Sequence, residues 1–322
     1  MDQITRVLIT GAAGNLGGLL AMHLKNKSGL KLHLMIHRKD VISDLRNNEN
    51  IKMIHADLSK KESLGTALEN IDVVVHFAGI LFKSNPEKFL PVTNTEYFKN
   101  LLDVSIEKGV KRVILCSFPH VEGESFPDRP AVGKLDQIPG SAHARTRLEE
   151  EKYLFKKASE ISFEAVSLRL GMVYGRGILM MDVARWLAKY WLLGIWKKPT
   201  WVHFISKDDY LRVFENAIIK KNINGIYHIG DEGKQTLQDF FETACPYWKH
   251  KKPWKMPVGL IIHFAKCCEI YSSIFGTRSL LTRDFVKIGM VSYYGDTRRM
   301  HEELLPELKF KTYKEGLSQF DK

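Results

Sequence analysis

Ile4-Thr5-Arg6-Val7-Leu8-Ile9 runs directly into Thr10-Gly11-Ala12-Ala13-Gly14-Asn15-Leu16-Gly17. The first stretch reads as a buried β-strand. The second is T-G-x-x-G-x-x-G and opens a helical pattern. Strand before and helix after are the context in which this spacing carries information, because each glycine then has a mechanical task. Gly11 permits the tight turn, Gly14 lets backbone approach a pyrophosphate, and Gly17 lets the helix pack close to the strand. The helix start supplies amides and positive dipole to phosphate oxygens. Gly11, Ala13, Gly14, Asn15, Leu16 and Gly17 are therefore predicted to hold a dinucleotide. An ordinary turn with incidental glycines is the competing reading.

The rest of the first half keeps the same alternation. Apolar runs fall at 32–36, 51–55, 73–77, 113–116 and 163–168, with helical stretches at 16–27, 62–68, 93–108 and 143–159. This β-α rhythm predicts an α/β fold, a Rossmann-type doubly wound parallel sheet with helices on both faces. Ligands of such sheets sit at the carboxyl ends of the strands. After residue 171 the regularity fades, and all six tryptophans lie beyond it. The expected organisation is a dinucleotide-binding domain over 1–171, also receiving 204–229. A smaller substrate region comprises 172–203 and 230–322.

The second strand ends near His37 and Arg38. A basic residue there suits the extra phosphate of NADP, where an acidic one would take the ribose hydroxyls of NAD. Arg38 therefore favours NADP(H) over NAD(H), although Asp40 keeps NAD open. Asp57, in Ala56-Asp57-Leu58 after the third strand, is placed to accept from an adenine amino group or to cap the next helix.

Taken with further motifs, the chain resembles the extended short-chain dehydrogenase/reductases, the NAD-dependent epimerase/dehydratase superfamily. His76-Phe77-Ala78-Gly79 is similar to the segment that borders the cofactor in that family. Val92-Thr93-Asn94-Thr95 is similar to the start of its next helix, where an Asn is usual. Lys111-Arg112-Val113-Ile114-Leu115, Leu168-Arg169-Leu170-Gly171-Met172-Val173-Tyr174-Gly175, Val202–Asp209 and Asn224–Gly230 resemble later elements in the same order. The resemblance implies cofactor contacts at Leu58, Phe77, Ala78, Gly79 and Asn94, and implies a homodimer built through 93–108 and 143–159.

The family's catalytic Ser, Tyr and Lys are not where the resemblance puts them. Cys116-Ser117-Phe118-Pro119-His120-Val121-Glu122-Gly123, aligned on its glycine, sets Phe118 at the Ser/Thr position, with Ser117 one residue earlier. His143-Ala144-Arg145-Thr146-Arg147 sets His143 at the Tyr position and Arg147 at the Lys position. Tyr153 and Lys157 form a literal Y-x-x-x-K, but Lys157 stands too close to Arg169 for a helix, turn and strand to follow. Histidine exchanges protons near neutral pH, and Arg147 lies one turn along the same face. An arginine keeps its charge and can hold a ribose or phosphate as the Lys does. Two readings stand: a variant oxidoreductase site of His143, Arg147 and Ser117, or a site that only binds nucleotide. Phe118 speaks for the second. His120 and Glu122, in the same loop, are substitute acid/base candidates. A sugar-nucleotide epimerase or dehydratase is a further alternative.

The chain has 322 residues and a net charge of +11. That favours anionic partners, yet the basic residues are scattered, and no nucleic-acid motif is present. Its four cysteines, Cys116, Cys245, Cys267 and Cys268, form no C-x-x-C and read as free thiols of a reducing compartment. Met1-Asp2-Gln3 leads straight into the first strand, which reads as no leader. A cytoplasmic location is expected, with membrane association admitted. No segment reaches about 18 uninterrupted apolar residues, and no metal site is read. Met181–Trp196 mixes Trp186, Tyr190 and Trp191 with Arg185 and Lys189, and 257–275 is apolar with cationic interruptions. These read as an amphipathic surface at a membrane, a pocket for a lipophilic substrate, or core of the second half.

Overall fold

Alternating apolar runs and helical stretches resolve, in the computed structural model, into a seven-stranded sheet. The structure describes residues 4–80, 83–277, 279 and 281–321; the reading of Met1-Asp2-Gln3 lies outside them. The first half runs β1 (Thr5–Thr10), α1 (Asn15–Leu24), β2 (Leu30–Ile36), α2 (Ser43–Arg46), β3 (Ile51–His55), α3 (Lys61–Ala67), β4 (Val73–His76), α4 (Tyr97–Glu107), β5 (Arg112–Ser117), α5 (Ala142–Glu160) and β6 (Glu164–Leu170). The second half follows with β7 (Met172–Tyr174), α6 (Leu179–Lys189), β8 (Gly194–Trp196), β9 (Phe204–Ser206), α7 (Lys207–Ile219), β10 (Gly225–Ile229), α8 (Leu237–Tyr247), β11 (Trp254–Met256), α9 (Val258–Ile274) and α10 (Arg283–Gly289).

The large sheet has the order β10-β6-β5-β4-β1-β2-β3, and each neighbouring pair is parallel. The order reverses at β1: β2 and β3 lie to one side and β4 to β6 to the other. That reversal opens a crevice at the carboxyl end of β1, where the glycine loop begins. The central strands are apolar on both faces because helices cover both. Val7, Leu8 and Ile9 are fully buried, as are Val74, Val75, Ile114 and Leu115. Core residues divide accordingly, Leu8, Val74 and Leu115 packing with α3 and α4, and Val7, Ile9 and Val75 with α1 and α7.

The expected helix over 93–108 begins differently. A π-helical segment, Pro91–Glu96, precedes α4 and buries Asn94 and Thr95. Pro91 stands in its first turn, where a missing N–H costs no helical bond. Beyond β6 two small parallel pairs form, β7 with β9 and β8 with β11. One apolar core passes from α1 and β1 through Tyr174, Phe204 and Phe240 to Phe320. Tyr174, Phe204, Phe240 and Phe320 meet at ring-centroid distances of 4.5 to 6.4 Å.

Candidate active site

The glycine loop is built by steric necessity. Gly11 has φ +72°, a region that disfavours side chains, and a Cβ on it would stand 2.9 Å from the Ala78 amide nitrogen. A Cβ on Gly17 would stand 2.6 Å from the Gly11 carbonyl oxygen. Gly14 is the N-cap of α1 and offers no side-chain cap, and the first turn carries no acidic residue. The start of α1 therefore keeps its backbone donors and positive dipole for an anion. The residues present fit a dinucleotide pyrophosphate.

The Asn15 side chain is spent elsewhere. Its amide donates to the Gly177 carbonyl (2.7 Å) and accepts from the Leu179 amide (2.9 Å), tying the loop to the start of α6. Tyr210 on α7 donates to the Leu16 carbonyl (2.9 Å). Only the backbones of Ala13, Asn15 and Leu16 are left for a ligand in the sense expected.

Arg38 lies beyond the end of β2, exposed, with its Nε 3.2 Å from His37 Nε2. Asp57 accepts from the Ser59 amide and hydroxyl at 2.9 and 2.8 Å, and these bonds hold its carboxyl below the usual range. It shapes the turn before α3, whose N-cap is Lys60, so it is not the cap itself. His37 Nε2 stands 3.9 Å from the Asp57 carboxylate. Arg38 and Asp57 thus flank the ends of the neighbouring strands β2 and β3. Leu58 accepts from Asn100 through its carbonyl (3.1 Å).

Two chain segments converge on Ala78. Its amide donates to Thr10 Oγ1 (3.3 Å), and its carbonyl accepts from Arg147 Nη2 (3.2 Å). The same Arg147 nitrogen lies 2.6 Å from where a Cβ of Gly79 would be, so Gly79 makes room for the guanidinium. Phe77 stacks on Phe214 at 4.9 Å. Asn94 donates to Thr146 Oγ1 (3.1 Å), leaving its Oδ1 buried without a partner. Arg147 thus reaches the strand ends from α5.

Arg147 also pairs with Glu150 on the next turn (2.6 Å). Glu150 is fully buried, and burial pushes its carboxyl up to about 7 although Arg147 pulls the other way. Nearby Cys116 is pushed up by burial to about 12, which keeps it a thiol.

His143 lies in the first turn of α5 and is largely buried. Its Nδ1 is 3.0 Å from an Asp284 carboxylate oxygen on α10. A carboxylate oxygen accepts, so Nδ1 is the donor nitrogen of this pair and Nε2 is the one left for another partner. The pair spans 141 residues. Asp284 was readable in sequence as a first-turn acid of a helix capped by Thr282, but no spacing rule joins it to His143.

Ser117 is withdrawn from this group. Its hydroxyl donates to the buried Glu151, which also receives Ser167 and a bidentate Arg169. Arg169 reaches on to Glu122, which His228 also approaches at 3.3 Å. Burial opposes ionisation of Glu122, but the His228 bond and the Arg169 charge win and hold it at about 2. Glu122 is thus a structural anion rather than a substitute acid. His120 Nε2 donates to the Val291 carbonyl (3.0 Å), and burial lowers its pKa to about 4. Phe118 packs on its ring at 5.0 Å. The literal Tyr-Lys pair faces the opposite way: Tyr153 donates to Asp103 on α4 (2.6 Å), and Lys157 lies over its ring.

A family model described as NAD(P)H-binding matches residues 11–163. The chain is 24% identical, over 76% of its length, to a trifunctional UDP-glucose 4,6-dehydratase/UDP-4-keto-6-deoxy-D-glucose 3,5-epimerase/UDP-4-keto-L-rhamnose-reductase of Arabidopsis thaliana. It is 25% identical, over 57% of its length, to a uronate dehydrogenase of Pseudomonas putida. It spans 40% and 66% of those two relatives. Its fold matches a UDP-glucuronic acid 4-epimerase from Bacillus cereus, solved with UDP-glucuronic acid and NAD. That match has a TM-score of 0.75 and 20% identity, covering 98% of this chain and 97% of the other.

Proposed function

The chain is an NAD(P)-binding homologue of the extended short-chain dehydrogenase/reductases, and from that premise we propose an oxidoreductase acting at a secondary alcohol or ketone carbon. The observation that carries this reading is the His143–Asp284 pair at 3.0 Å, one helical turn from Arg147, which reaches Ala78 at the strand ends. A nicotinamide cofactor would be held by the glycine loop and by Arg147, and would supply or accept the hydride there. His143 Nε2 then moves the matching proton: it gives one to the oxygen as a ketone becomes an alcohol, or takes one in reverse. Asp284 fixes the ring and stabilises the imidazolium formed when Nε2 is protonated. Ser117 takes no part in this reading, because its hydroxyl serves Glu151.

NADP(H) is the preferred cofactor on the strength of Arg38 at the end of β2, which has the charge to meet a 2′-phosphate. The substrate is read as a lipophilic carbonyl or alcohol, supported by the aromatic second half. The trifunctional relative and the matched epimerase structure are named for UDP-linked sugars, and sugar nucleotides are the alternative class. A second reading, a protein that binds the cofactor without turnover, is favoured by Phe118 standing where a polarising hydroxyl is expected.

The test is to incubate the protein with NADPH or NADH and two panels, aliphatic and aromatic ketones and UDP-linked keto sugars. NAD(P)H absorbance is followed. Consumption of NADPH with a ketone of the first panel is expected. Consumption confined to the second panel replaces the substrate class. Tight cofactor binding with no consumption in either panel establishes the binding-only reading.

A further inference from the structure

Helix α9 is apolar on both sides. Its inner face buries Ile261, Ala265, Glu269 and Ser272, and Glu269 is turned inward to Arg283 at 2.8 Å. Its outer face carries Leu260, Phe264, Tyr271 and Ile274 at helical spacing, followed by Phe275, and these are exposed, Ile274 at 71%. A helix apolar all round is ordinarily enclosed by protein or lipid. No helix among the described residues is long and apolar enough to cross a membrane.

The apolar face continues off the helix. β11 leads into α9 and pairs with β8, and the Trp254 indole packs at a tilt against Trp191, centroids 4.0 Å apart, and donates to its carbonyl at 2.7 Å. Trp191 has φ +55°, a conformation rare for a tryptophan, and its ring stays 45% exposed. Leu192 beside it is exposed, and Tyr190 touches exposed Trp186 at 5.2 Å. Exposed aromatics gathered this way sit at the headgroup level of a bilayer.

Charge decides which occupant fits. Between Asp182 and Asp208 the chain has no acidic residue but carries Arg185, Lys189, Lys197, Lys198 and Lys207. Between Glu242 and Glu269 it again has none, and carries Lys249, Lys251, Lys252, Lys255 and Lys266. Lys255 is paired with Glu242, whereas Lys251 lies over the Trp191 ring at 4.3 Å, in the middle of the aromatic cluster. Arg185, Lys189 and His250 line a cavity of about 380 Å³ beside Trp186, with Asp182 as its one acidic group. A second copy of this chain would bring like charge against like charge here.

We propose that the face formed by α9, the Trp191–Trp254 cluster and the lysines around them docks onto an anionic lipid bilayer. Phe264, Tyr271, Ile274 and Phe275 enter the acyl boundary, Trp191 and Trp254 lie at the headgroups, and Lys251, Lys252 and Arg185 meet lipid phosphates. The glycine loop and His143 take no part, so this inference stands apart from the proposed activity.

Co-sedimentation with vesicles of phosphatidylcholine alone, and of equal parts phosphatidylcholine and phosphatidylglycerol, tests it. The protein is expected to pellet with the mixed vesicles and stay largely in solution with the neutral ones. Lys251→Glu with Lys252→Glu is expected to weaken binding by at least roughly tenfold, from about 1 kcal/mol per basic residue near such a surface. Phe264→Ser with Ile274→Ser is expected to abolish the binding that survives high salt. NADPH affinity reports folding in every variant and should not change. No binding to the mixed vesicles overturns the proposal. So does binding that Phe264→Ser with Ile274→Ser leaves intact at high salt, since the apolar face is then idle. A concentration-dependent dimer that the same two substitutions dissociate also overturns it, in favour of a second copy.

Discussion

The glycine loop and the first turns of α5 both end at Ala78, but they are made of different material. The loop meets Ala78 through backbone, with Gly11 so close that a Cβ would stand 2.9 Å from its amide. α5 meets it through a side chain, Arg147, whose reach is set by Glu150 below and by the space Gly79 leaves. A backbone site admits almost no other residue, so its spelling is fixed by sterics. A side-chain site admits any group that reaches the same point, so its spelling can change while the chemistry continues. On the proposed reading, that difference explains why the glycine loop is plain in the sequence and an acid/base group is not.

The contrast also runs along single residues. At the end of β5, Ser117 has the chemistry of a catalytic hydroxyl, yet the pleat aims it at Glu151 and into the Glu151–Arg169–Glu122 cluster. The largest effect on stability is expected there. Arg169→Met leaves two buried carboxylates facing each other, and removing one partner of a buried ion pair destabilises by about 3–5 kcal/mol. Thermal or urea unfolding checks it. An unchanged midpoint would show that Arg169 is not the tie between β6 and the loop of Glu122.

On the backbone side, Gly17→Ala forces a Cβ against the Gly11 carbonyl. About 1–3 kcal/mol of destabilisation is expected, as for overpacking elsewhere, together with loss of cofactor affinity. Calorimetric titration with NADPH in a variant that remains folded separates the two. Retained affinity would mean the loop is not the phosphate site. At the edge of the sheet the expected effect is smaller. Arg38→Asp should weaken NADPH by about tenfold or more, the worth of one charge-assisted bond, and leave NADH little altered. Equal weakening of both cofactors would remove the argument for NADP.

The smallest effect is a pH slope. Glu150 is raised from the usual carboxylate value to about 7 when folded, so the folded chain holds its proton more tightly than the unfolded chain does. Its contribution to stability is present below the unfolded value and is lost as pH rises toward 7. Glu150→Gln keeps an acceptor for Arg147 and removes the proton, so the decline between about pH 4.5 and 7 should flatten. Melting temperatures across that range decide it, and an unchanged slope would place the titration elsewhere.

Much of the fold was legible because it rests on local pattern. The strand over 51–55 and the parallel sheet follow from apolar runs between helical stretches. The helix at 93–108 begins with a π-helical segment over Pro91–Glu96, a difference in hydrogen-bond pattern that apolar period alone does not reveal. Within the site, the glycines were named from their spacing, and Arg147 and His143 from the resemblance to the family's catalytic helix. Asp284 was not, because its partner is 141 residues away and only the tertiary fold joins them. Glu150 was not either, since an acid one turn past Arg147 reads in sequence as an exposed helix pair, and only burial distinguishes it.

The separation of a backbone cradle from a side-chain acid/base group is tested most directly by one paired measurement on His143→Phe. Cofactor affinity by titration and NADPH consumption with an accepted ketone are read on the same preparation. The account predicts cofactor affinity equal to that of the unaltered chain, and turnover lower by about 10²- to 10⁴-fold, the usual contribution of a positioned acid or base. Turnover equal to that of the unaltered chain would contradict it, because the proton would then come from a group other than His143.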